Sequence, residues 1–86
     1  MKEIWKYKLQ ITDRQTVTMP AAAEILQVDD QFSELVMWAL VDRDAQNTVS
    51  RDIEIFGTGH PMDEAIRIYI GTVLIGSLVW HVFERV

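Results

Sequence analysis

The chain contains no cysteine, which excludes a disulfide framework and any thiolate metal site. It has no run of Lys or Arg to set against its 13 acidic residues and formal charge of −5. A field of that sign repels nucleic acid at long range, so DNA or RNA binding is not expected. It has no secretory leader pattern either, because Met1 opens directly on a charged, alternating segment. Only one segment is long and uncharged, the 16 residues from Ile68 to Phe83. A membrane-spanning helix needs about 20 apolar residues. This run is shorter, rich in Ile and Val, and broken by Gly71, Gly76 and Ser77, so it reads as a buried hairpin. Internal repeats and low-complexity tracts are also missing.

What is present is enough apolar material for a core: 49% hydrophobic residues, three of them Trp, in 86 positions. That length allows one domain, residues 1–86, and a domain so small gains from self-association. Alternation of apolar and polar residues marks strands at Ile4–Ile11, Gln15–Met19, Glu24–Val28, Val49–Phe56, Ile66–Leu74 and Ser77–Arg85. Leu35–Val41 is apolar throughout and is expected to be buried on both faces. Ala21–Glu24 has room for one helical turn. Asp29–Gln31 reads as a turn. The fold expected is all-β, a small antiparallel meander closed as a barrel or folded as a sandwich.

A two-residue turn at Ile75-Gly76 would place Arg67 opposite Glu84 and Gly71 opposite Trp80 in the last hairpin. One face of that hairpin would then cover the core. The other, with Tyr69, Val73, Leu78, Trp80 and Val82, would await a second layer or a second copy of the chain.

Chemistry concentrates in Gly57-Thr58-Gly59-His60-Pro61, where an alternating strand runs into a loop. Its glycines permit unusual backbone angles and close approach by a ligand. Consecutive N–H groups, a hydroxyl and an imidazole could meet an anion such as a phosphate. A turn that merely ends a strand accounts for the same residues, and the spacing is neither a P-loop nor a dinucleotide fingerprint. Arg51 and Arg67, on flanking strands, are the candidates for ligand charge, against a plain reading as ion pairs. The five Trp and Tyr residues suit either stacking on a base or the core. His60 and His81 are the only histidines, and with Asp63 they form no recognisable metal pattern. No serine lies in a nucleophile elbow and no carboxyl stands out as a buried acid or base. No catalytic residue, metal or cofactor is therefore assigned, and an enzyme is not expected.

Ile4-Trp5-Lys6-Tyr7, Met37-Trp38-Ala39-Leu40-Val41, Phe56-Gly57-Thr58-Gly59-His60-Pro61, Ile70-Gly71-Thr72-Val73 and Val79-Trp80-His81-Val82-Phe83-Glu84 together resemble a family of small uncharacterised proteins of tailed phages and prophages. The resemblance spans nearly the whole chain. It implies a phage origin, an accessory role and action in the host cytoplasm. On that basis the expected function is counter-defence by sequestering a nucleotide-derived immune signal, with Gly57, Thr58, Gly59, His60, Arg51 and Arg67 as the ligand-binding set. The alternatives are an acidic protein that inhibits a host defence enzyme, and a structural or assembly component of the phage.

Overall fold

Period-two alternation becomes strand throughout. The computed structural model describes residues 1–86 and contains seven strands and no helix. These are β1 (Lys2–Lys8), β2 (Arg14–Pro20), β3 (Glu24–Gln31), β4 (Glu34–Asp42), β5 (Thr48–Gly57), β6 (Arg67–Ile75) and β7 (Leu78–Arg85). They form two antiparallel sheets, a three-stranded one in the order β1-β4-β3 and a four-stranded one in the order β2-β5-β7-β6. The architecture is a sandwich, not a closed barrel. Its connectivity is less sequential than a meander, because only β3–β4 and β6–β7 are neighbours both in sequence and in a sheet.

The core lies between the inner faces. Met37, Ala39 and Val41 of β4 meet Ile53 and Ile55 of β5, Val82 of β7 and Val73 of β6, all buried. On the opposite side of β4 only Val36 is buried, while Trp38 and Leu40 are half-buried. The uninterrupted apolar run is thus covered fully on its inner face and only in part on its outer one, less than expected. The two sheets approach most closely at one edge of the sandwich, where β3 and β6 pack without pairing. There a Cβ built on Gly71 would stand 2.8 Å from Val28 Cγ2.

The terminal hairpin is shifted by one position at its turn from the register expected. Ile75 pairs with Leu78, so the turn is Gly76-Ser77 and Gly76 takes the left-handed φ of 62° that its first position requires. Val73, not Gly71, therefore faces Trp80, and Gly71 faces Val82. A bulge at Ile70 then moves Tyr69 onto the face of Phe83. Arg67 comes opposite Arg85, and Glu84 is left to pair with Arg51 across the core edge. The face proposed as awaiting a partner is thus the inner one, since Val73 and Val82 belong to the core.

Ala21–Glu24 is not helical. Ala23 N–H donates to the Pro20 carbonyl at 3.2 Å and closes a β-turn with Ala22 at φ 63°. Asp29–Gln31 continues β3, and the turn falls on Phe32-Ser33, both at positive φ (54° and 64°). Two positive φ values mark a type I′ geometry, for which Asn-Gly is the favoured pair. Each ordinary side chain held there costs about 1–2 kcal/mol. Replacing Phe32-Ser33 by Asn-Gly is expected to raise the melting temperature by roughly 5 °C or more, read by circular dichroism. An unchanged or lower midpoint would show that the turn is not strained.

Candidate functional site

The topology creates the site. Both β5 and β6 run antiparallel to β7, which lies between them, so they are parallel to each other. The connection from β5 to β6 must therefore return across the outer face of the sheet, over β7. Arg67 fastens it at its far end: its Nε donates to Glu54 Oε1 at 2.8 Å and its Nη2 to Asp63 Oδ1 at 2.6 Å. Its Nη1 reaches the carbonyls of Asp63 and Ala65. Arg85 Nη1 donates to the second Glu54 oxygen at 3.3 Å, and the Arg67 guanidinium lies 5.1 Å from the centre of the Phe56 ring. Beneath this clasp Glu54 is only 6% exposed although it sits on the outer side of its sheet.

The clasp has a pH limit. The Ala65 N–H and then the Arg67 guanidinium hold the Asp63 carboxyl below its usual range. A depressed carboxyl contributes stability above its unfolded pKa of about 3.9 and loses it as pH falls through the lower folded value. Melting temperature is expected to be flat near neutral pH and to fall below about pH 4, with Asp63→Asn flattening part of that acid limb. Asp52 and Asp42, depressed by Arg14 and by the Asp44 N–H respectively, contribute to the same limb. An acid limb identical in Asp63→Asn would remove Asp63 from the clasp.

At its near end the crossover begins in the glycine-rich loop. Past Glu54, β5 has outrun β2, and the Ile55 N–H donates to the Asp13 carbonyl instead. The chain then turns: His60 N–H donates to the Gly57 carbonyl at 3.1 Å, with Gly59 at φ 88°. The imidazole folds back so that Gly57 N–H donates to His60 Nδ1 at 3.2 Å. The ring occupies the place of a side chain at Gly57, where a Cβ would lie 2.8 Å from His60 Cε1. Because Nδ1 accepts, neutral His60 carries its proton on Nε2.

His81 takes the other side of the sheet. Its Nε2 meets Thr58 Oγ1 at 2.8 Å and its Nδ1 meets Thr72 Oγ1 at 3.0 Å, with Tyr69 Oη 2.6 Å beyond. Both ring nitrogens are thus engaged by hydroxyl groups. No group of three or more His, Asp and Glu side chains is arranged to hold a metal ion.

Three shallow depressions mark the surface, and His60 lines all of them. One, of about 240 Å³, runs between Thr58 and Trp80. A second, of about 140 Å³, lies between Trp80 and Asp13, and a third, of about 300 Å³, between Asp13 and Phe56. The structure therefore brings Gly57, Thr58 and His60 together with Trp80 and Asp13. Both Gly57 and His60 spend their N–H groups on the loop itself, so the loop is not an open nest for an anion.

A family model, the domain of unknown function DUF7352, matches residues 1–86. The chain belongs to the DUF7352 family. Among curated proteins and solved structures, none matches it. In this DUF7352 chain neither Arg51 nor Arg67 lines a depression. Arg51 makes a two-pronged ion pair with Glu84 and donates to the Ala23 carbonyl at 2.9 Å, while Arg67 is spent on the clasp. Asp13 is a site residue that sequence reasoning missed, and Trp80 is the one of the five Trp and Tyr residues that lines a depression. The sequence offers Trp80 for stacking on a base no more strongly than the other four, and Asp13 lies in a polar turn with nothing local to connect it to His60.

Proposed function

We propose that this protein is a non-enzymatic binding protein that sequesters a nucleotide-derived small molecule in the groove around His60. The observation that carries this is the convergence of every surface depression on that one imidazole. Its Nε2–H as donor, the Asp13 carboxylate as acceptor and the half-buried Trp80 ring suit the edge and face of a planar base. Both candidate arginines are neutralised by Glu84, Glu54 and Asp63. The ligand would therefore be held by its base, with its phosphates turned to solvent and not cradled by Gly57–His60. The resemblance to phage proteins supports a counter-defence role in the host cytoplasm, with an immune signal as the molecule removed. No helix is long and apolar enough to cross a membrane. Exposed Ile66, Ile68, Leu74 and Leu78 along β6 and its hairpin support self-association, which light scattering tests.

Calorimetric titration with cyclic dinucleotides and ADP-ribose derivatives, at up to about a millimolar, tests the reading. Binding to the wild type is expected. His60→Ala should weaken it by on the order of 1–3 kcal/mol. Gly57→Ala, which displaces the ring without removing it, should also weaken binding. Silence from every ligand would sink sequestration and leave the acidic inhibitor of a host enzyme ahead.

A further inference from the structure

We propose that the β3–β4 hairpin tip is a protein-docking anchor, in which Phe32 enters an apolar pocket bordered by Lys or Arg on a partner protein. This inference stands apart from the ligand groove and does not depend on it. Phe32 is 92% exposed, the highest value among the large hydrophobic residues. It is also held at φ 54° beside Ser33 at φ 64°, a geometry that bulky side chains avoid. Within the domain the ring therefore adds strain and wetted apolar surface and gains little in return. Aromatic side chains that fill a partner's pocket are the usual carriers of binding energy at protein interfaces.

The charge around the tip identifies the kind of pocket. Of the nearby cations, Lys8 is paired with Glu34 at 3.0 Å, while Lys6 donates to the neutral amide of Gln31 at 2.7 Å and keeps its charge. Asp29 and Asp30 are in no ion pair, and with Glu34 they outnumber Lys6 and Lys8, so the rim behind Phe32 is negative on balance. Such a rim matches Lys and Arg on another protein. It is repelled by an anionic lipid surface and by a second copy of this acidic chain.

The test places p-benzoylphenylalanine at position 32 of the full-length protein and irradiates it in bacterial lysate. The crosslinked protein is identified by mass spectrometry, prepared pure, and titrated against the wild type. The crosslinked surface should contain apolar residues flanked by Lys or Arg. Phe32→Asn should weaken binding about 30-fold or more while melting no lower than the wild type. Reversing Asp29 and Asp30 to Lys should weaken binding and reduce its salt dependence. Four results would each overturn the proposal. They are the absence of any single enriched protein, binding by Phe32→Asn within about threefold of wild type, co-sedimentation with phosphatidylcholine–phosphatidylglycerol vesicles that Phe32→Asn abolishes, and a wild-type dimer that Phe32→Asn dissolves.

Discussion

Met37→Ala is expected to lower the free energy of unfolding by about 2–5 kcal/mol, a large share of what a domain of this size possesses. Met37 is 0% exposed and sits at the centre of β4, paired with Tyr7 on one side and Val28 on the other. Its side chain points into the space between the sheets, where Ile53, Val41 and Val82 are equally inaccessible to water. Truncation removes buried methylenes and the thioether and leaves a cavity that two hydrogen-bonded sheets cannot fully close. Urea denaturation measures the loss as a shift in midpoint at unchanged slope. A cost below about 1 kcal/mol would mean that the core around Met37 repacks freely.

Glu54→Ala is expected to lower the melting temperature by roughly 10 °C or more. Each carboxylate oxygen serves one guanidinium, Oε1 for Arg67 and Oε2 for Arg85. Removing the carboxylate strands the Arg67 charge beneath the crossover, where its side chain is 7% exposed, and leaves it only Asp63 and two carbonyls. Replacing Glu54 and Arg67 together by leucine should recover part of the loss, since an apolar pair of similar volume leaves no buried charge unmatched. A double variant less stable than Glu54→Ala would mean that the clasp acts through its hydrogen-bonding pattern and not through charge compensation.

The strands were legible because each has a local cause. Trp5, Tyr7 and Leu9 alternate with lysines, and the unbroken Leu35–Val41 run marks the central strand of its sheet, the one with the most buried residues. Turns were less legible. Asp29–Gln31 carries turn-like residues yet stays in the ladder, while the real turn uses Phe32-Ser33, which have no turn chemistry. In the last hairpin Gly76 fits either of two adjacent turns, and only the sign of φ at its first position separates them. The Gly57–His60 loop stood out because glycine and histidine coincide where a strand ends. The arginines were misplaced because their carboxylates are remote: Glu84 lies 33 residues from Arg51 and Glu54 lies 13 from Arg67. No local pattern reports such a pairing.

The position of β7 has a further consequence, for the order of events during folding. Residues Leu78–Arg85 form the last of the seven strands, yet in their sheet they lie inside, with β5 on one side and β6 on the other. Until β7 arrives, β5 and β6 have no hydrogen-bond partner between them, and the crossover has no surface to lie on. Closure must therefore wait for the last of the seven strands, and it spans large sequence separations when it comes. Folding dominated by such non-local pairings runs in about milliseconds to seconds. On a ribosome the half-made sheet would expose two open edges, with the uncharged Ile68–Leu74 segment along one of them, until the final strand is threaded between them.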